Sequence, residues 1–302
     1  MPRPTDGATA QPPTSGAADQ PPTGGHAEEP PTSGNADQPL TAGHADWPPS
    51  GRDAEEALTG GYVADVVRIG DTVRRTPPAN LDFVGALLRH LAEVGADLAP
   101  RHLGVDDRGR QVLSYVAGRV PWRDREDPGF FADAALVRLA ELIRRLHDAC
   151  AGTDLAGDAE TVCHRDLSPK NTVYRDSPTG PLPVAFIDWD LARPGRRIED
   201  VAFAGWHWAP LGEGADPAEL GRRCRVLCAA YDAAGPGLLP RAELVDVMLD
   251  QIGSTWRGID ADADRDVPAM RRLRDAGAVE VIRRWQDWLH THRHTVATPL
   301  SP

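Results

Sequence analysis

From Arg3 to about Gly51 the chain repeats a nine-residue unit: RPTDGATAQ, PPTSGAADQ, PPTGGHAEE, PPTSGNADQ, PLTAGHADW, then a broken PPSG. Only Leu40 and Trp47 are bulky and apolar within it. A stretch with so little to bury cannot offset the conformational entropy of ordering its backbone. The composition therefore predicts a disordered extension over residues 1–53, with Pro-Pro steps favouring polyproline II interrupted by glycine. A stacked solenoid would need an inward apolar position in every repeat, and none is supplied. The fold must come from the residues after about Ala54.

That remainder has ordinary composition and enough length for a real core. The 302-residue chain carries a formal net charge of -12, and residues 1–50 hold one basic and six acidic side chains, so -7 belongs to the rest. An acidic sum without a basic tract argues against nucleic acid as a partner, because duplex binding draws on Lys and Arg to displace counterions. No run of about 18 apolar residues predicts a membrane span, and the first residues lack the order of a secretory signal. The expectation is a cytoplasmic protein with no membrane partner, and the charge favours a small cationic ligand. Four cysteines, Cys150, Cys163, Cys224 and Cys228, are too few for a disulfide scaffold and form no CxxC pair. They read as buried free thiols.

Periodicity predicts two antiparallel strands, 66–69 and 72–75, closed by Gly70-Asp71. Asn80 can cap a helix whose apolar positions are Leu81, Val84, Leu87, Leu88 and Leu91, ended at Gly95. A strand over 111–116 comes next, then a long amphipathic helix marked by Phe131, Ala135, Leu139, Leu142, Ile143 and Leu146. Residues 172–174 and 184–187 read as short strands, and helical patterns return over 216–233, 241–252 and 267–289. Strands with one helix, then mostly helices, predict an α+β fold. It has a small β-rich lobe over 54–117, a larger helical lobe over 118–295 and a cleft between them.

The chemistry concentrates in Cys163-His164-Arg165-Asp166-Leu167-Ser168-Pro169-Lys170-Asn171 and in Ala185-Phe186-Ile187-Asp188-Trp189-Asp190. Asn171 begins one short strand and Asp188 ends the next, so an antiparallel hairpin brings the two together. An amide oxygen and a carboxylate on neighbouring strand ends, completed by water and phosphate oxygens, suit Mg²⁺. Asp166, five residues before Asn171, lies in the same loop and can accept a proton. Taken together, HRDLSPKN and Ile187-Asp188 resemble the catalytic loop and metal-binding aspartate of the protein-kinase-like superfamily, most closely those of the aminoglycoside phosphotransferase family. The resemblance covers roughly residues 60–290. It implies a two-lobed fold with ATP in the cleft, Asp166 as catalytic base, and Asn171 and Asp188 as Mg²⁺ ligands. The partners implied are a nucleoside triphosphate and a small hydroxylated acceptor. Phosphoryl transfer rewards such a set because charge spreads over the transferred oxygens and is met by metal, cations and in-line positioning.

In the small lobe the family pattern is imperfect. Arg74 best matches the strand lysine that grips nucleotide phosphates, with Arg75 the open alternative, a planar fork replacing a point charge. No acidic residue sits centrally on the following helix, where Asp82 and Glu93 lie at the ends. Thr59-Gly60-Gly61 either brings backbone amides to phosphate or is a plain flexible turn. The resemblance places adenine against Ser114, Tyr115 and Val116. Lys170 is read as a phosphate contact or a surface residue, and Asp190 as a second metal contact or a turn cap. His164 is expected to hold the loop, Arg165 to meet a carboxylate or solvent, and Asp200 to brace the loop from the large lobe. Trp206, His207, Trp208, Trp256, Trp285 and Trp288 read as core more than acceptor pocket. The acidic run Asp260, Asp262, Asp264 and Asp266 is a loop that either attracts an amine or is merely solvated, and it lacks the glycine and glutamate of an EF-hand. His290, His292 and His294 alternate near the end without implying a physiological metal. Two activities fit these residues: a small-molecule kinase, or a catalytically silent nucleotide-binding protein whose tail recruits a partner.

Overall fold

The computed structural model describes residues 55–58, 66–121 and 127–300, so the repeat over 1–53 and Thr59-Gly60-Gly61 lie outside the described residues. Short strands with β-branched residues build one antiparallel sheet in the order β1-β2-β3-β5-β4. Its strands are β1 (Glu56–Ala57), β2 (Val66–Ile69), β3 (Thr72–Arg75), β4 (His102–Val105) and β5 (Gln111–Ser114). The hairpin at Gly70-Asp71 pairs Val66 with Arg75 and Ile69 with Thr72. β3 then pairs with β5, setting Val73 opposite Leu113 and Arg75 opposite Gln111. Residues directly opposite in an antiparallel pair share a face, so Val73, Arg75, Gln111 and Leu113 lie on one side and Arg74 on the other.

Helix α1 (Leu81–Glu93) buries Val84, Leu87, Leu88 and Leu91, as the 3.6-residue spacing requires. Asn80 stands at its N-cap, but the side chain caps nothing; the backbone carbonyl accepts from Val84 instead. α1 is docked on the larger lobe as well, since His90 Nε2 meets the Ala149 carbonyl at 2.7 Å. Its leucines join Leu113 and the apolar face of α2 (Asp133–Cys150) in a single continuous core. Each such buried leucine is worth at most about 1.5–3 kcal/mol of transfer free energy.

The larger lobe carries two hairpin-like pairs. β6 (Thr161–Cys163) pairs with β9 (Arg193–Gly195), and β7 (Thr172–Ser177) with β8 (Gly180–Phe186). Helices α3 (Arg197–His207), α4 (Pro217–Ala233), α5 (Leu244–Asp264), α6 (Pro268–Asp275) and α7 (Ala278–Ala297) complete it. The pattern read as one helix over 267–289 is two helices, broken at Ala276-Gly277. α3, β4, β6 and β9 carry too short or too mixed a period to be read beforehand. The chain passes between lobes at Gly118, where a Cβ would collide with Val173 Cγ1 and stand 2.5 Å from the Tyr174 carbonyl. Arg119 seals that crossing with two backbone hydrogen bonds to Tyr174. Among the described residues no helix is long and apolar enough to cross a membrane.

Candidate active site

β6 delivers the loop from His164 to Asn171, and a 3₁₀ turn over Pro169–Asn171 leads into β7. Two acceptors hold the loop. Asp200, on the first turn of α3 and fully buried, receives the His164 amide on Oδ2 at 2.7 Å and the Arg165 amide on Oδ1 at 2.9 Å. Arg165 sits in the left-handed region at φ 69°, a conformation unusual for a side-chain-bearing residue. Its guanidinium pairs with Glu199. Burial pushes the Asp200 carboxyl up, yet the hydrogen bond from His147 and the neighbouring donors bring it below the usual carboxylate range.

His164 is the second anchor. Its Nδ1 accepts the Asp166 amide at 3.3 Å, which leaves Nε2–H to donate to the Ile187 carbonyl at 3.1 Å. A single neutral tautomer satisfies both contacts. Burial holds its pKa below the ordinary value, as that tautomer requires. The imidazole thus ties the loop to the strand end before Asp188.

The β7–β8 hairpin does what its order in the sequence predicts. Thr172 faces Phe186, and the Ile187 amide donates to the Asn171 carbonyl at 2.9 Å. Asn171 and Asp188 are therefore brought to neighbouring ends. Asn171 Nδ2 donates to the Asp166 carbonyl at 3.0 Å and to Asp166 Oδ2 at 2.7 Å. With the amide nitrogen so used, the side-chain oxygen remains for a cation. Lys170 Nζ lies 3.4 Å from Asp166 Oδ2. Burial raises the Asp166 pKa, and Lys170 opposes the rise.

Asp188 also has a positive φ, 65°, and its side chain is 43% exposed. It faces Arg75, whose Nη1 lies 3.0 Å from Asp188 Oδ1 and whose Nη2 pairs with Asp190 Oδ2. Burial raises the Asp190 pKa against the lowering effect of Arg75. Here the sequence expectation is corrected. Arg74 lies on the opposite face of β3, where it meets Thr72 Oγ1 and Asp106. Arg75 is the cation turned to the cleft. Strand alternation carried the signal, since Val73 packs against the core and the residue two further on shares its side. No central acid on α1 is needed to hold Arg75, because Asp188 and Asp190 do so.

At the proposed adenine edge, the Ser114 amide donates to the Arg101 carbonyl and the Tyr115 amide to the Asp71 carbonyl. Of the three candidates, only Val116 keeps its N–H unpaired among the described residues. The Tyr115 ring lies under the Arg68 guanidinium, 3.9 Å from its centre.

One other expectation changes. The acidic run is not a loop: Asp260, Asp262 and Asp264 end α5 and pair with Arg274 and Arg265, while Asp266 pairs with Arg271. Its charge is met locally. Trp206 and Trp208 are buried, and Trp256 donates to Gln286 between Arg257 and Arg283. His292 packs on Trp288. All four cysteines are free and buried, and burial raises every thiol pKa, Cys150 and Cys228 to about 12. Among the described residues His147, Cys163 and Asp200 form the one cluster close enough for a metal ion. Their polar atoms are committed: Cys163 donates to the Arg196 carbonyl and Asp200 accepts His147 and two amides.

The cleft's donor set suits a hard cation, since the carboxylates of Asp188 and Asp190 already hold a guanidinium between them and the Asn171 oxygen lies on the neighbouring strand end. The loop is thus braced by a buried aspartate, with an asparagine on its carboxylate and an aspartate at the facing strand end. A model of the phosphotransferase enzyme family matches residues 53–236. The chain belongs to that family. A trifolitoxin immunity protein from Rhizobium leguminosarum bv. trifolii is 34% identical over 173 residues, covering 52% of this chain and 63% of that protein. A homoserine kinase from Cupriavidus necator is 32% identical over 155 residues, 49% of this chain and 45% of the kinase. The chain thus spans about half to under two thirds of the curated relatives it matches. A Ralstonia eutropha structure, provisionally named an aminoglycoside phosphotransferase, superposes with a TM-score of 0.56 at 17% identity, covering 80% of this chain and 94% of that one. The GDP and kanamycin complex of APH(2")-IIia gives 0.50 at 15% identity, over 77% and 95%. At such identities these two establish the two-lobed kinase-like fold.

Proposed function

We propose that this protein transfers the γ-phosphoryl group of ATP to a hydroxyl of a small molecule. The observation that carries the reading is the Asn171 amide on the Asp166 carboxylate, with Asp188 at the adjoining strand end. Asp166 orients the acceptor hydroxyl and takes its proton as the oxygen attacks phosphorus. Lys170 keeps that carboxylate in the charged, receptive form and stands ready for a phosphate oxygen. Asn171 and Asp188 would hold Mg²⁺, with Asp190 beside them. Bound Mg²⁺ would supply charge neutralisation at the phosphate oxygens. Arg75 moves from the two carboxylates to the phosphates when nucleotide enters, and Val116 reads adenine through its free amide.

Acceptor chemistry comes from the relatives only in kind. A homoserine kinase and a kanamycin-bound neighbour both point to hydroxylated amines. The local pairing of the acidic run removes one reason to require a polycation. The test is ADP release on a panel of amino alcohols and aminoglycosides with ATP or GTP. Turnover that Asp166→Asn abolishes, with nucleotide affinity kept, supports the reading. A silent nucleotide-binding protein is the second reading, favoured by the guanidinium that closes Asp188 and Asp190. Magnesium-dependent thermal stabilisation by ATP, with no turnover on any acceptor, would favour it.

A further inference from the structure

A cavity of about 400 Å³ opens in the helical lobe, lined by Arg144, Glu160, Arg197, Tyr231 and the loop over 236–240. None of these residues belongs to the candidate active site. Arg144 builds one wall. Its side chain is only 3% exposed; Nε donates to Asp148 at 2.7 Å, and the fork holds the Pro236 and Gly237 carbonyls. The loop can pass over this guanidinium because residue 235 is glycine: a Cβ there would stand 2.6 Å from Arg144 Nε.

Arg197 builds the other wall, and its donors are only half used. Nη1 donates to Asp148 Oδ1 at 2.7 Å and to the Tyr231 hydroxyl at 3.1 Å. Its Nε and Nη2 meet no acceptor among the described residues. One carboxylate, Asp148, thus serves two guanidinium groups. Glu160 does not make up the difference, because Oε2 accepts the Arg197 backbone amide at 2.9 Å and Oε1 lies toward Arg196. A planar fork with an unused edge is a donor pair matched to carboxylate or phosphate oxygens. Leu238, 82% exposed, and Leu239 give the opening an apolar rim.

The cavity is wired to the catalytic loop. Tyr231 accepts from Arg197 and lies 2.8 Å from His147 Nδ1; His147 Nε2 lies 3.2 Å from Asp200 Oδ2. With Asp200 a carboxylate, Nε2 is the donor, so Tyr231 donates to Nδ1. From the Tyr231 hydroxyl onward every donor in the series then has an acceptor, ending at the amides of His164 and Arg165 that Asp200 receives. We propose that this cavity binds a small carboxylate- or phosphate-bearing molecule on the free edge of Arg197, and that its occupancy tightens the loop bearing Asp166. The binding half stands alone, and the tightening half rests on the kinase reading of that loop.

The experiment is thermal shift and amide hydrogen exchange on the full chain with inorganic phosphate, with malonate, and with sodium chloride at matched ionic strength. Phosphate and malonate in parallel separate the two oxyanion sources. The expected result is a rise of about 2–4 °C at tenfold saturation with one or both anions, and none with chloride. Arg75→Met keeps the rise, which assigns it away from the nucleotide cleft. Leu238→Asp, an exposed substitution that spares the core, removes most of it, and so does Arg197→Gln. Exchange at the His164 and Arg165 amides slows about threefold or more in the wild type and in Asp166→Asn alike. No rise with either anion, or an equal rise in Leu238→Asp and Arg197→Gln, overturns the site. A rise without slower exchange at those two amides overturns the link. Because Asp166→Asn is silent on either outcome, failure of the kinase reading is told apart by its own turnover assay.

Discussion

Asp200 and Asp188 are acidic groups of one lobe, separated by little more than a strand and a turn, and they are held in opposite ways. Asp200 is fully buried and receives two backbone amides and His147, all from fixed elements of the large lobe. Asp188 is 43% exposed, and its ion-pair partner is Arg75, a long side chain from the other lobe. The first arrangement has no vacancy for a ligand; the second is made of parts that a ligand can exchange. A buried carboxylate with three fixed donors rigidifies its surroundings. A half-exposed carboxylate paired only with a side-chain cation can exchange it for another cation. The same contrast separates the bracing of Asp166 from the cleft surface where the proposed substrates would assemble.

The sharpest way to break the comparison is to remove the group that depends on both sides. Asp166→Ala is expected to lower turnover by about 10²–10⁴-fold while nucleotide affinity stays within about twofold, read by ADP release and calorimetry. Equal turnover would remove Asp166 from the chemistry. Next in size, Asp200→Ala should cost about 3–5 kcal/mol of stability in urea unfolding, because it leaves two amides and His147 facing an apolar methyl. The pH dependence has a definite sign. Since the folded pKa of Asp200 is depressed, its contribution is present above the ordinary carboxylate range and is lost as pH falls through the lowered value. The stability gap between wild type and Asp200→Asn should therefore be full at neutral pH and narrow in acid.

Arg75→Met tests the exchangeable side. ATP affinity should fall about tenfold or more as a charge-assisted contact is lost. Mn²⁺ affinity without nucleotide should move the other way, rising about threefold or more by electron paramagnetic resonance, because Asp188 and Asp190 lose their competing cation. Weaker Mn²⁺ binding in that variant would mean that Arg75 supports the carboxylates and does not compete for them. The smallest effect belongs to Arg74→Met. Its partner Asp106 lies 3.7 Å away on the far face of the sheet, so nucleotide affinity should change by less than about twofold and stability by about 0–1 kcal/mol.

Much of the site was legible because it is local. His164, Asp166 and Asn171 fall within eight residues, and the hairpin that brings Asp188 to Asn171 needs only two short apolar runs and a turn. The α1 and α2 core faces came from a 3.6-residue period. What the sequence concealed depended on facing and pairing. Arg74 and Arg75 are equal in composition, and only the register placing Val73 against Leu113 assigns Arg75 to the cleft. The acidic run looked free because its partners, Arg265, Arg271 and Arg274, come after a helix end that the pattern did not resolve. The cavity at Arg197 was invisible for the same reason, since its walls come from α2, α3, α4 and the loop beyond.

The crossing at Gly118 is fastened to the larger lobe. With no room for a Cβ between Gly118 and Val173 or Tyr174, and Arg119 clasped to the same strand, the backbone there has one fixed path along β7. A side chain installed at 118 would push the crossing itself away from β7. Because β7 starts directly after Asn171, such a change would lengthen the span from the Val116 amide to Asn171 without touching either, and under the roles proposed for them its signature would be a joint loss of nucleotide and metal binding.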